Sequence, residues 1–90
     1  MLLATTIFAA PESVAESQKK AETGDDSAQF RFGVMFADGY GVPKDSVEAV
    51  KWYRMAAEQG NNYAQFMLGV MFANGEGVPR DSVEAVQWLL

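Results

Sequence analysis

Residues 28–54 read AQFRFGVMFADGYGVPKDSVEAVKWYR, and residues 64–90 read AQFMLGVMFANGEGVPRDSVEAVQWLL. The second stretch follows the first at an offset of 36 positions, and 19 of the 27 aligned residues are identical. The eight that differ are Arg31/Met67, Phe32/Leu68, Asp38/Asn74, Tyr40/Glu76, Lys44/Arg80, Lys51/Gln87, Tyr53/Leu89 and Arg54/Leu90. A fixed period of about 20–50 residues marks stacked-repeat architectures, in which each unit buries its apolar face only against a neighbour. Function in such chains resides on surfaces rather than in an enclosed active site.

Each copy reads as two helices. Ala28, Phe32, Met35 and Phe36 fall at i, i+4, i+7 and i+8, and Ala64, Leu68, Met71 and Phe72 repeat that face. Asp25-Asp26 and Asn61-Asn62 supply N-caps, and Gly39 and Gly41 end the first helix of the pair. Asp45 with Glu48, and Asp81 with Glu84, have capping-box spacing and open the second helix. On that helix Ala49, Val50, Tyr53, Ala56 and Ala57 share a face, and Trp52 is expected to bridge to the neighbouring repeat. Gly60 stops it. Gly33 and Gly69 sit inside helices, where glycine costs about 0.5–1 kcal/mol relative to alanine. A close helix approach explains the repetition, with Ala56-Ala57 as the expected partner surface.

These residues resemble the Sel-one-like repeat, an α/α relative of the tetratricopeptide repeat. The resemblance rests on Ala28-Gln29, Phe32-Gly33, Phe36, Gly39-x-Gly41-Val42, Asp45, Ala49, Trp52-Tyr53, Ala56-Ala57 and Gly60. It recurs from Ala64-Gln65 through Trp88. Ser17–Gly24 resembles a preceding helix end, since Ala21-Glu22-x-Gly24 matches Ala57-Glu58-x-Gly60. The expected fold is all-α, an α/α superhelical solenoid of antiparallel helix pairs. It divides into a leading helix over 16–24, repeat one over 25–60, and a truncated repeat two over 61–90. The resemblance implies an adaptor that binds a protein or peptide, and it brings no catalytic residue or cofactor. The alternative is a fragment of a longer array without independent function. A β-lactam-binding or hydrolysing enzyme, known among cysteine-rich relatives, ranks last.

Composition agrees. The net charge is −5 with only seven Lys and Arg. Nucleic acid and anionic membrane both call for clustered basic residues, so neither is an expected partner. The chain has no His and no Cys, which removes imidazole catalysis, thiol nucleophiles, thiolate metal sites and disulfides. Gly39-x-Gly41 follows a helix rather than a strand and reads as a turn, not a phosphate loop. Asp38, Asp45 and Asp81 lack the alternating ladder of a calcium loop and read as caps and turn residues. Trp52, Trp88, Met35 and Met71 read as packing, and Lys19-Lys20 as a solvated helix face.

The N-terminus carries a separate signal. Leu2–Ala10 (LLATTIFAA) has the length of a signal-peptide core, too short to span a bilayer. Ser13-Val14-Ala15 offers a cleavage site before Glu16, and residues 1–15 thus form either an export signal or an apolar segment packing on the first repeat. Export predicts a periplasmic or secreted protein.

Two surfaces emerge. Ser27, Arg31, Val34 and Asp38 lie together on the first helix of repeat one, away from its core face. Their equivalents are Tyr63, Met67, Val70 and Asn74, and three of the four pairs differ although the copies are otherwise near-identical. First helices commonly line the concave side of such solenoids, so these eight form the candidate partner-binding surface. At the other end, Trp88, Leu89 and Leu90 are expected to form an uncovered apolar edge through which two copies join with two-fold symmetry.

Overall fold

The computed structural model describes residues 13–90, and the N-terminal apolar segment lies outside them. Among the described residues five helices follow one another: α1 (Val14–Glu22), α2 (Asp26–Asp38), α3 (Ser46–Glu58), α4 (Asn62–Asn74) and α5 (Ser82–Leu89). Each helix packs on its sequence neighbours, α1 on α2, α2 on α3, α3 on α4 and α4 on α5. The result is an elongated stack of 55 × 23 × 17 Å among the described residues, the form expected of a solenoid.

Local chemistry sets the helix ends. Asp25, Asp45, Asn61 and Asp81 are all N-caps, their side chains accepting from backbone N–H groups of the first turn. The expected box at Asp45 is half made: Glu48 N–H donates to Asp45, while the Glu48 carboxylate faces Lys51 at 3.2 Å. Gly39 (φ 73°) and Gly75 (φ 70°) close α2 and α4 in the left-handed region that favours glycine. Tyr40 and Glu76 then donate back to Met35 O and Met71 O. Asp45 N–H bonds Phe36 O at 2.8 Å and Asp81 N–H bonds Phe72 O at 2.9 Å, so both hairpins are fastened alike.

The main core joins the two repeats. It holds Ala49, Val50, Tyr53, Ala56 and Ala57 from α3, Ala64, Leu68, Met71 and Phe72 from α4, and Ala85 from α5. A second cluster of Ala21, Ala28, Phe32 and Trp52 joins repeat one to α1. Trp52 therefore packs back toward the leading helix, edge-on to Phe32 at 5.0 Å, rather than onward to the next repeat as expected. Its indole N–H and that of Trp88 are both buried without a hydrogen-bond partner.

Two other expectations need correction. The leading helix begins at Val14, not at residue 16. Ser13 is its N-cap and completes a reciprocal capping box with Glu16, so Ser13-Val14-Ala15 is built into a helix start. And the residue that approaches Gly33 is Tyr53, not Ala56-Ala57. A β-carbon at Gly33 would stand 2.8 Å from two Tyr53 ring carbons, and one at Gly69 2.6 Å from Leu89 Cγ. Glycine is required here because the bulky side chain of the partner helix fills the space that a β-carbon would take.

The periodicity reaches back into α1. A β-carbon at Gly41 would stand 3.3 Å from Val14 Cγ2, and one at Gly77 3.0 Å from Val50 Cγ2. Val14 thus plays in α1 the part of Val50 in α3. The Gln29 side-chain amide donates to Ala21 O at 3.3 Å, as that of Gln65 donates to Ala57 O at 3.1 Å.

Candidate functional site

Five of the eight candidate residues are polar or aromatic tips in solvent. Ser27, Arg31 and Asp38 on α2 are exposed, as are Tyr63 and Asn74 on α4; Val34, Met67 and Val70 are half-buried. Val34 and Met67 pack against the main core, so their outer edges alone are available to a partner. The helical period sets each row along one side of its helix, at i, i+4, i+7 and i+11. At the N-terminal end of the α4 row, Tyr63 lies 5.8 Å from Phe30 of α2, whose ring is in turn 5.7 Å from Tyr53.

The Tyr53 hydroxyl belongs to the buried side of this aromatic group. Burial, aided by the negative charge of Asp38, pushes its pKa up to about 12. The ring is a packing element that stays neutral across the physiological range.

At the expected edge, the three residues behave differently. Trp88 is half-buried and packs on the main core. Leu89 covers Gly69 yet remains 46% exposed, and Leu90 is 99% exposed. Sequence reasoning missed Phe66, which is 58% exposed beside them. Asn62, Gln65, Phe66, Trp88, Leu89 and Leu90 line a cleft of about 230 Å³. The repetition of Gln29-Phe30 as Gln65-Phe66 was the available signal.

Sequence reasoning also missed a carboxamide cluster at the α3–α4 turn. Gln29 is 3% exposed, and Gln59 Nε2 donates to its Oε1 at 2.8 Å and to Gly24 O at 3.0 Å. Asn61 Nδ2 donates to Asp26 Oδ2 at 2.9 Å. Buried amides need such partners, because an unpaired one retains its full desolvation cost.

Catalytic groupings are sparse. Among the described residues no cluster of three or more His, Cys, Asp or Glu could hold a metal ion. Ser17-Gln18-Lys19-Lys20 has the S-x-x-K spacing of β-lactam-acylating serines. Ser17 is buried in α1, and the companion S-D-N and K-T-G motifs do not occur in the chain. No helix of the described residues is long and apolar enough to cross a membrane.

With the paired hairpins, their glycine contacts and their caps established, comparison with known proteins is decisive. The Sel1 repeat model matches residues 26–61 and again 62–90. The chain belongs to the Sel1 repeat family. Proteins of this family are in general helical scaffolds for protein–protein contact rather than catalysts. Among solved structures, a Sel1 repeat protein from Oxalobacter formigenes is 37% identical with a TM-score of 0.83, covering 84% of this chain and 58% of its own. A protective antigen of uropathogenic Escherichia coli strains that displays this fold is 40% identical with a TM-score of 0.82, over 87% of this chain and 17% of its own. Cysteine-rich protein B of Helicobacter pylori, at 23% identity and a TM-score of 0.79, shares the fold over 83% of this chain and 56% of its own. The chain thus spans little more than half the length of two of these Sel1 repeat proteins and under a fifth of the third. No curated protein matches it.

Proposed function

We propose that this Sel1 repeat chain is an adaptor module that binds a protein or peptide along its first helices. The surface consists of Ser27, Arg31, Val34 and Asp38 on α2 with Tyr63, Met67, Val70 and Asn74 on α4. The observation that carries the reading is the contrast between sameness and difference. Nineteen of the 27 aligned positions are identical, yet two of the three face pairs among them differ, as does Ser27/Tyr63 just before them, and of these six residues all but Met67 are exposed. Fold maintenance accounts for the identities and leaves these differences to recognition. The face mixes a cation, an anion, an amide, a phenol and aliphatic edges, a set suited to a peptide of mixed polarity and not to a single charged ligand.

The test is selection of peptide ligands against the full chain, followed by Arg31→Glu combined with Asn74→Arg. Both residues are exposed, so folding is expected to be unchanged while binding falls. Ligands that bind the double variant as tightly as the parent would place recognition elsewhere.

A second reading is supported by the coverage: the chain matches 58%, 17% and 56% of the three solved relatives, which suits a piece of a longer array. Full gene context separates the two. An export reading, with the protein in the periplasm or secreted, rests on LLATTIFAA. Fractionation of native cells that finds the protein wholly in the cytoplasm would reject it. β-lactam chemistry stands last, since Ser17 is buried; nitrocefin turnover above background by the purified chain would reverse that order.

A further inference from the structure

Three of the differences between the copies take a charge or a hydroxyl out of repeat two: Arg31/Met67, Asp38/Asn74 and Tyr53/Leu89. In repeat one these groups serve one side of α2. Arg31 and Asp38 share a helix face two turns apart, about 10.5 Å along the axis. Both are exposed, and among the described residues neither forms an ion pair. Val34 lies between them, half-buried. Tyr53 reaches the same helix from α3: its ring fills the space beside Gly33, and the charge of Asp38 acts on its hydroxyl. Tyr53 is 1% exposed and makes no hydrogen bond among the described residues. Yet the polar side-chain atoms there that are both sealed from solvent and unpartnered are the indole nitrogens of Trp52 and Trp88. The phenol oxygen is therefore recessed but not sealed, and it carries residual exposure.

We propose that Arg31, Asp38 and Tyr53 read a charge pair on the bound polypeptide: an extended segment that sets a carboxylate against Arg31 and, three residues away, a lysine whose ammonium donates to the Tyr53 hydroxyl oxygen and the Asp38 carboxylate. The inference rests on the adaptor reading above and names the chemistry of its partner. Spacing supports it. A polyproline-type extended chain has three residues per turn and rises about 3.1 Å per residue, so side chains three apart point the same way at about 9 Å, close to the Arg31–Asp38 separation. Lysine suits the recess better than arginine, because its ammonium is a compact charge on a slender stem and the guanidinium is a broad planar fork. A carboxylate at that end would meet the like charge of Asp38, so the order of the two charges along α2 is fixed. The net charge of −5 favours approach of the cationic end. Met67 and Asn74 are neutral, so the pair is read once, on repeat one, and sets the register of the segment.

The probe is an array of synthetic peptides in an alanine, proline and leucine background. Each carries one glutamate and one lysine, in both orders, from adjacent to six residues apart, and is titrated into the full chain at low salt. One order at a separation of three should bind most tightly. Tyr53→Phe and Asp38→Asn in the chain should each weaken that peptide about tenfold, the loss expected for a hydrogen bond to a charged group. Tyr53→Phe keeps the ring over Gly33, and circular dichroism checks the fold. Replacing the peptide lysine by norleucine should abolish the effect of Tyr53→Phe, a coupling that a merely structural role of the hydroxyl does not produce. Arginine in place of lysine should bind more weakly. No binding by any array member, no preference for separation, or a folded Tyr53→Phe chain that binds the best peptide as tightly as the parent would overturn the inference. In each of these cases the adaptor face still stands if Arg31→Glu with Asn74→Arg lowers the affinity of independently selected peptides. If that double variant also changes nothing, the face itself is wrong.

Discussion

Gly33 and Tyr53 interlock: the phenol ring lies so close to the glycine that an added methyl group would stand 2.8 Å from two of its carbons. Tyr53 is 1% exposed and has no free direction in which to move. Gly33→Ala is therefore expected to lose about 1–2 kcal/mol, the overpacking cost outweighing the helix gain of alanine. Gly69→Ala should cost less, because the half-exposed Leu89 at the end of α5 can give way. Urea unfolding of both variants checks the order; equal losses would show that the Ala49 and Ala85 carbonyls, not the side chains, set the limit.

The carboxamide cluster makes a second expectation. Gln59→Ala leaves the buried Gln29 Oε1 without its donor and the Gly24 carbonyl without its side-chain partner. A loss of about 1–3 kcal/mol is expected for an orphaned buried polar group. Gln59→Glu should be no better, since it keeps the length but removes the amide donor at neutral pH. A fully stable Gln59→Ala chain in a denaturant series would contradict this role.

Tyr53 gives the fold an alkaline limit. Its pKa rises from 10.0 to about 12 in the folded chain because burial, then the Asp38 charge, disfavours the phenolate. Below about pH 10 both folded and unfolded chains keep the proton, and the group adds no pH dependence. Between about 10 and 12 the unfolded chain loses its proton while the folded chain holds it, so stability falls as pH rises. Tyr53→Phe should flatten that slope while preserving the ring over Gly33. Denaturation midpoints measured across the window test it.

Ser13 is expected to matter for α1. Ser13→Ala removes a cap worth about 0.5–2 kcal/mol and half of a reciprocal box. Because α1 joins the fold through Ala21, Val14 and Gln29, the loss should appear first as faster amide exchange in α1, with α4 unaffected. A chain beginning at Glu16 would lose both the cap and Val14, and should be less stable than one beginning at Ser13. Uniform exchange in all helices of the Ser13→Ala chain would mean that α1 does not open separately.

Repetition made much of this architecture legible. Asp25, Asp45, Asn61 and Asp81 cap where their spacing places them, because capping depends on a few adjacent residues. The partner of Gly33 was not legible, since the helical period names a face but not the height at which the neighbouring helix crosses it. Trp52 pointed the other way for the same reason: both sides of α3 carry small residues, and only tertiary packing selects one. Ser13 was hidden by a competing pattern, as Ser-Val-Ala suits a processing site and Ser-x-x-Glu suits a helix start. The candidate face followed from periodicity, but not the partial burial of Val34 and Met67, which depends on how closely α3 and α5 approach.

One feature of the carboxamide cluster bears on inheritance. The donors Gln59 and Asn61 and the acceptors Gln29 and Asp26 all lie within residues 26–61, the span of one repeat match. A genetic duplication of that block copies a complete clasp, needing no new partner to evolve alongside it. Gain or loss of a whole 36-codon unit should therefore keep the clasp intact, whereas an insertion of a few codons inside the α3–α4 turn should part its donors from its acceptors.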